Sequence, residues 1–278
     1  MKLKDLLKNS LFPKTIPGAF NAASALLIED AGFPAVYVSG AGLSAGCGLP
    51  DTGELTLVEV AVLSSYITNA VNIPVIIDAD TGFGGPGAIK KTIAALEGIG
   101  ASAIQLEDQT FPKRCGHLPG KGVIPAREFA KKIKAAVKAR ASRDFLVICR
   151  TDARAVAGID DAIGRAKIYL DAGADAIFPE ALANKKEFAQ FAVAVDAPLV
   201  ANMTEFGRTP YITVKEFGDI GYAAVLFPMT AFRASMKAAK DALRELKAKG
   251  TQKGILKDLQ TRTELYELLG YSPSVKKG

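Results

Sequence analysis

The sequence has little of what several large protein classes require. It contains no tryptophan, one histidine, and three widely spaced cysteines, Cys47, Cys115 and Cys149. An odd number of scattered cysteines with no signal peptide ahead of them favours a reducing cytoplasm over a disulfide framework. The longest apolar runs, such as AVYVSG and FLVICR, are too short to cross a bilayer, so we expect no membrane function.

What is present is typical of one large globular domain. The chain has 278 residues, of which 49% are apolar and 23% charged, and α/β barrels commonly fill about 250 residues as a single unit. The net charge is +6, but the lysines and arginines mostly lie beside acidic residues in helical stretches. This pattern favours a solvated surface, or attraction of a small anionic substrate, over a nucleic-acid partner.

Short apolar β-rich runs alternate with helical patterns along the chain. Their lack of polar alternation is typical of parallel strands covered by helices. The predicted strands are 15–20, 35–40, 74–80, 101–108, 145–152, 174–180, 198–203 and 223–228. Eight such units joined by short connections predict a closed (β/α)8 TIM barrel over residues 1–249.

Residues 250–278 form a tail that a closed barrel does not require. Ile255, Leu259, Leu265 and Leu268 could share one face of a helix in this tail. We therefore predict an extra C-terminal helical segment that packs on its own subunit or on a neighbouring one.

Polar residues end most of the predicted strands, which is where barrel enzymes build their active sites. The polar strand ends are Ser39 and Gly40, Asp78 and Asp80, Glu107 and Asp108, Arg150 and Asp152, Glu180, and Asn202. Any one of them could simply anchor a loop. Six converging ends instead predict a site at this face of the barrel.

Two aspartates in DADTGFGG suggest a metal site. Asp78 and Asp80 are two residues apart on a strand, so their side chains point the same way and repel, which a hard cation such as Mg²⁺ would relieve. Glu107 and Asp51 could complete the coordination. The structural alternative is that Asp78 binds a backbone turn and Asp80 faces solvent. Zinc is not favoured, because Cys115 and His117 alone do not supply four ligands.

The stretch KRCGHLPGK places a thiol two residues from the only histidine in the sequence. Lys113, Arg114, Lys121 and a protonated His117 would favour the Cys115 thiolate and suit it to general acid/base work. Gly116 and Gly120 would let this loop fold over a ligand, and the alternative is an exposed basic loop with an incidental thiol. Nucleotide chemistry is unsupported, because no GxGxxG or GKS/GKT loop is present.

The ordered motifs VSGAG, LPDTG, DADTGFG, QLEDQ, PKRCGH, RTDA, FPEA, NMTEFG and FRA closely resemble the 2-methylisocitrate lyases of the isocitrate lyase and phosphoenolpyruvate mutase superfamily. The resemblance covers about 15–271. It implies a (β/α)8 barrel, a C-terminal helix exchanged between subunits, and a homotetramer. It further implies Mg²⁺, with Mn²⁺ as an alternative, bound directly by Asp78, with Asp80 nearby and Asp51 and Glu107 acting through water.

The resemblance also implies site residues and a reaction. The substrate-contacting positions would be Ser39, Gly40, Ala41, Cys115, Gly116, Arg150, Glu180, Asn202, Met203, Thr204, Arg233 and Arg262. The implied reaction cleaves a tricarboxylate, 2-methylisocitrate, to pyruvate and succinate. Catalytic roles would fall to Cys115 as proton donor, to His117 and Glu180, and to Tyr37 as the base, although a buried structural tyrosine is the alternative.

Substrate preference is the least constrained expectation. Phe178 and Leu226 resemble an apolar pair that leaves room for the extra methyl, and isocitrate lyases carry a pocket tryptophan that this chain lacks. Related enzymes with a KRCGH loop act on isocitrate, dimethylmalate, oxaloacetate or carboxyphosphonoenolpyruvate. A barrel that binds a dicarboxylate without turnover, or serves as a scaffold, is a rival of another class, but it would not need a proton donor.

Overall fold

A computed structural model describes residues 1–8 and 12–272 of the chain, and its centre is one eight-stranded parallel sheet. The order around the sheet is β6-β5-β4-β3-β2-β1-β8-β7. The Ile177 amide donates to the Pro198 carbonyl at 3.0 Å, which brings β6 to β7 and nearly closes the barrel. All eight predicted strands are confirmed, with these bounds: β1 Lys14–Ala19, β2 Val36–Val38, β3 Val75–Asp78, β4 Ala103–Glu107, β5 Leu146–Thr151, β6 Ala176–Pro179, β7 Val200–Asn202 and β8 Ala224–Phe227.

Helices surround the strands. The α-helices are α1 Leu3–Leu7, α2 Ala22–Asp30, α3 Gly40–Gly46, α4 Leu57–Ala70, α5 Pro86–Gly98, α6 Ala126–Ala139, α7 Arg154–Ala157, α8 Ile159–Asp171, α9 Lys185–Ala194, α10 Val214–Ile220, α11 Thr230–Lys249 and α12 Arg262–Leu268. Several start where a side chain accepts from the first turn: Thr56 and Thr213 form capping boxes with glutamates three residues on. None of the helices described here combines the length and hydropathy needed to cross a membrane.

Each strand divides its side chains between two buried layers. In β5, Leu146 and Ile148 belong to the cluster inside the barrel, whereas Val147 and Cys149 belong to the layer between strands and helices. This alternation follows from the two-residue period of a strand. It explains why the strands read as continuous apolar runs, and it makes Cys149 a buried core residue.

One end of the barrel interior is closed by the chain's own first helix. Leu3, Leu6 and Leu7 of α1 are buried in the same cluster as the inward-facing strand residues. The opposite end, where the strands finish, therefore remains available for polar groups. At that end β1 and the exit of β8 approach so closely that a Cβ on Gly18 would lie 2.0 Å from the Pro228 carbonyl oxygen.

The C-terminal elements pack only loosely on this subunit. Helix α11 has no buried residue and exposes Met236, Leu243 and Leu246. In the tail, a 3₁₀ turn at Lys253–Asp258 and helix α12 confirm helical structure, and Leu259 and Leu265 remain exposed. The division into a 1–249 domain and a 250–278 tail stays a prediction, and residues 273–278 lie outside the described part of the chain.

Candidate active site

The strand alternation carries polar side chains to the open end of the barrel. The inward set continues from Ile76 to Asp78 in β3, and from Ile148 to Arg150 in β5. The register then brings neighbours together, because Glu107 pairs with Arg150 and Arg150 pairs with Phe178. The sequence therefore builds the site from residues at fixed positions on rigid strands.

Three carboxylates form a tight group at this end. Asp78, Asp80 and Glu107 each offer an oxygen, and these oxygens all lie within 4.8 Å of one another. Burial raises the pKa of Glu107 well above its ordinary value, and burial together with the Asp78 charge raises the pKa of Asp80 to about 6. Among residues 1–8 and 12–272, no hydrogen-bond donor reaches Glu107 Oε1. A buried carboxylate oxygen without a donor, within an all-oxygen group, fits a hard divalent cation.

Lys113 is the counter-charge of this group, a role that sequence spacing does not reveal. Its ammonium pairs with Asp51 and lies 2.7 Å from Asp80 Oδ1, and its side chain is only 5% exposed. Burial alone would lower the pKa of Lys113, but Asp80, Glu107 and Asp51 raise it well above the ordinary value. Asp51 thus reaches the acidic group through Lys113 and is not one of the three clustered carboxylates.

A cavity of about 300 Å³ opens beside the acidic group. Asp78 and Cys115 line it together, so the two features expected to cooperate share one space. Its wall also holds the predicted residues Tyr37, Ser39, Ala41, Gly116, His117, Arg150, Phe178, Glu180, Asn202, Thr204, Leu226 and Arg233. Gly40 lies just behind this wall, where its amide donates to Asp78 Oδ2 at 3.3 Å.

Arg150 and Glu180 form the charged floor of the cavity. The Arg150 guanidinium lies 5.4 Å from the Phe178 ring centroid and 3.2 Å from Glu180 Oε2. Glu180 Oε2 also accepts from Asn202 Nδ2 at 3.2 Å. Burial alone would raise the pKa of Glu180, but Arg150 and His117 outweigh it and lower the pKa well below its ordinary value. Glu180 is therefore a paired carboxylate, separate from the three that could hold a metal.

The lysines of the loop around Cys115 do not gather at the thiol, as the sequence had led us to expect. Lys113 turns to the acidic group and Lys121 pairs with Asp152 at 2.5 Å, so both ammonium groups already have carboxylate partners. His117 Nδ1 accepts from the Arg208 amide at 3.0 Å, and its Nε2 lies 3.0 Å from Glu180 Oε1. His117 is therefore held beside Glu180, and the histidine cation stays a prediction.

Gly116 makes the close approach of this loop possible. A Cβ at Gly116 would lie 2.4 Å from Arg150 Nη2 and 2.5 Å from Glu180 Cγ. Only a glycine lets the backbone beside Cys115 press against the charged floor. This is the physical reason for the Cys-Gly pair within KRCGH.

Of the remaining predicted site residues, Tyr37 lies in the cavity wall, whereas the Met203 side chain and Arg262 lie outside it. The Tyr37 hydroxyl is buried and donates to Gln105 Oε1 at 2.7 Å, and burial with the Asp78 charge raises its pKa well above the ordinary value. Tyr37 lines the cavity, and its role as the base stays a prediction. The Met203 side chain lies in the outer core layer, where its sulfur accepts from the Ile212 amide. Arg262 is exposed on α12 and does not line the cavity.

A larger cavity of about 760 Å³ lies next to the site and shares Lys113 with it. Phe83, Phe111 and Leu55 contribute to its mainly apolar wall. Cys115, Arg150 and Glu180 all face the smaller cavity instead. The convergent chemistry therefore assigns the functional site to the 300 Å³ cavity.

The barrel, its clustered carboxylates and its thiol-bearing loop together indicate one class of barrel enzyme. Comparison with known proteins identifies that class. The family model of phosphoenolpyruvate phosphomutase matches residues 3–247, so the chain belongs to this family. The chain is 55% identical over 261 residues to the 2-methylisocitrate lyase of Aeropyrum pernix, covering 94% of this chain and 84% of that protein. It is 43% identical over 261 residues to the 2-methylisocitrate lyase of Escherichia coli, covering 93% and 88%. The resemblance read from the motifs is confirmed.

Solved structures agree with the fold. The crystal structure of 2,3-dimethylmalate lyase, a member of the same superfamily, superposes with a TM-score of 0.91 at 34% identity, covering 96% of this chain and 90% of that one. Oxaloacetate acetylhydrolase in complex with 3,3-difluorooxalacetate gives a TM-score of 0.90 at 33% identity, covering 97% and 92%. The predicted barrel is confirmed by these neighbours.

Proposed function

We propose that this protein is a carbon–carbon lyase that cleaves 2-methylisocitrate to pyruvate and succinate. The observation that carries the proposal is the shared cavity: Asp78, one of the three clustered carboxylates, and Cys115 line the same 300 Å³ space. The curated relatives at 43–55% identity support 2-methylisocitrate as the substrate.

The proposed cofactor is Mg²⁺, with Mn²⁺ as an alternative. Asp78, Asp80 and Glu107 would hold it, since their oxygens are clustered and Glu107 Oε1 has no donor within the described chain. Once bound, the cation would supply Lewis acidity toward the hydroxyl and carboxylate oxygens of a 2-hydroxy acid.

The chain's own residues would bind the substrate and deliver a proton. Arg150 offers a guanidinium to a substrate carboxylate, and Arg233, which is 45% exposed at the cavity mouth, offers a second. The substrate hydroxyl would lose its proton, for which Tyr37 in the cavity wall is the proposed acceptor, and the oxygen's electron pair would form the carbonyl of pyruvate as the carbon–carbon bond breaks. The electron pair of that bond remains on the succinate portion as an aci-carboxylate. Cys115 would give its thiol proton to that carbon, and Arg150 would offset the accumulated negative charge.

Substrate preference would rest on the apolar part of the cavity. Phe178 and Leu226 both line it and belong to the inner barrel cluster. Room for one methyl beside them is worth about 1–3 kcal/mol of discrimination. The preference for 2-methylisocitrate over isocitrate would therefore be real but incomplete.

We further propose a homotetramer in the cytoplasm, built through α11 and α12. The support is the apolar surface that α11 leaves uncovered on its own subunit, with Met236 and Leu243 more than half exposed. If these helices are exchanged between subunits, Arg262 on α12 could reach the active-site cavity of the neighbouring copy. The unpaired cysteines Cys47, Cys115 and Cys149 fit a reducing compartment.

The proposal is tested by incubating the purified protein with 2-methylisocitrate and Mg²⁺ and measuring pyruvate with a coupled dehydrogenase. Isocitrate, dimethylmalate and oxaloacetate are assayed in parallel. We expect 2-methylisocitrate to give the highest kcat/KM. Faster turnover of another acid, or none of any, contradicts the proposal.

The role of Cys115 is tested with Cys115→Ser and a matched control, Cys47→Ser, at an exposed cysteine outside the cavity wall. Loss of a positioned proton donor costs roughly 100-fold or more in kcat. We expect this loss in Cys115→Ser with retained ligand binding, and parent-like turnover in Cys47→Ser. Equal activity of the two variants would remove Cys115 from the mechanism.

A further inference from the structure

The loop that carries Cys115 is closed at its base by backbone pairing. Gln109 and Val123 form an antiparallel bridge, and the Thr110 amide donates to the Gly122 carbonyl at 2.9 Å. The Ile124 amide donates to the Asp108 carbonyl at 2.9 Å. This pairing fixes the two ends of the loop but does not by itself fix Cys115, which lies near its middle.

Side chains hold the two residues that flank Cys115. The Gln109 amide group bonds both backbone groups of Arg114, accepting from its N–H at 3.0 Å and donating to its carbonyl at 2.8 Å. On the other flank, Lys121 Nζ donates to the Gly116 carbonyl at 2.6 Å. The thiol is therefore held between two anchors that come from the base of its own loop.

Lys121 is tied in turn to the barrel. Its ammonium lies 2.5 Å from Asp152 Oδ1, and the side chains are 2% and 0% exposed. Asp152 also accepts two hydrogen bonds from Arg150, at 2.8 and 3.0 Å. Below it, Asp108 accepts from the Asp152 amide and from the Tyr169 hydroxyl. One rigidly supported carboxylate thus orients both the guanidinium of the site and the loop that carries the thiol.

We propose that Lys121 is a positioning residue that holds Cys115 against the cavity by bridging Asp152 to the Gly116 carbonyl. The inference rests on the proposed function, since it concerns the placement of the proposed proton donor. Replacing Lys121 leaves Asp152 bonded to Arg150, so the buried carboxylate keeps a charged partner and the barrel keeps its support.

The test uses the three cysteines as reporters. The parent, Lys121→Met, Lys121→Arg and the exposed-lysine control Lys215→Met are treated with iodoacetamide, and alkylation of each cysteine is followed by peptide mass spectrometry. Cys47 is exposed and gives the reference rate, and Cys149 is buried and reports on general loosening. No step of this measurement requires turnover, so its failure is distinct from failure of the proposed function.

In Lys121→Met we expect Cys115 alkylation relative to Cys47 to rise about tenfold, because loop opening becomes easier by about 1.4 kcal/mol. Lys121→Arg, which keeps a charged donor, should lie closer to the parent, and Lys215→Met should match it. If the substrate is turned over, kcat should fall about 100-fold in Lys121→Met, as expected for a displaced proton donor. An unchanged Cys115 rate, or a parallel rise at Cys149, overturns the proposal.

Discussion

Replacing Lys113 by methionine should destabilise the metal-free protein and strengthen its affinity for divalent cations. The ammonium of Lys113 is buried between Asp51 and Asp80 beside the Glu107 carboxylate. Methionine keeps much of the apolar stem but leaves the acidic group without this charge. The same substitution therefore removes a native ion pair and a competitor for a bound cation.

The magnitude follows from the burial of the pair. Removing one partner of a buried ion pair costs about 3–5 kcal/mol. We expect a cost at the lower end of this range, because Asp51 is partly exposed. In addition, Asp80, whose pKa is about 6, can take up a proton when Lys113 is replaced. A loss of about 3 kcal/mol lowers Tm by roughly 6–12 °C for a chain of this size. Loss of one nearby positive charge should tighten Mn²⁺ binding roughly tenfold.

The assay compares the parent, Lys113→Met and Lys215→Met, an exposed lysine on α10, in chelator and in saturating Mn²⁺. Thermal denaturation gives Tm, and electron paramagnetic resonance of free Mn²⁺ gives the affinity. The Tm of Lys113→Met should be lower than that of the parent in chelator. This difference should shrink in saturating Mn²⁺, because an ion that binds the folded state stabilises the folded protein. A variant that matches the parent in both measurements would refute the assignment of Lys113 as the counter-charge.

The remaining predictions concern the same site. Because the pKa of Asp80 is raised from 3.8 to about 6, its neutral form contributes roughly 3 kcal/mol of stability below pH 4 that is lost as pH rises through about 6. Urea unfolding in chelator should therefore show the parent losing stability relative to Asp80→Asn between pH 4 and 7; a flat or opposite difference contradicts the account. Gly116→Ala should cut turnover about 100-fold, because the new Cβ at position 116 would meet Arg150 Nη2 at 2.4 Å. The control is Gly164→Ala, at a helix position with open space, and the Tm of the two variants should be close. Parent-like turnover in Gly116→Ala would show that close docking of the loop is not needed.

The strand ends of the site could be predicted from sequence because strands have a fixed period. Once β3, β4 and β5 are located, Asp78, Glu107 and Arg150 follow as the inward-facing residues at their ends. The same rule, applied one residue beyond Asn202, places Met203 on the opposite face, where the structure has it.

The charge pairing in the loop could not be predicted. Lys113 and Lys121 follow the same strand, yet one reaches Asp51 and Asp80 and the other reaches Asp152. Their partners lie on different units of the barrel, so the choice depends on distances that sequence spacing does not contain. The placement of His117 depends likewise on the Arg208 amide, 91 residues away.

The most direct test of the central claim is a nuclear magnetic resonance measurement of products formed from 2-methylisocitrate in D₂O with Mg²⁺. A lyase in which Cys115 protonates the departing carbon should give equimolar pyruvate and succinate, with one deuterium in each succinate. Cys115→Ser should form both products at least roughly 100-fold more slowly. Products in unequal amounts, succinate without deuterium, or no cleavage by the parent would contradict the account.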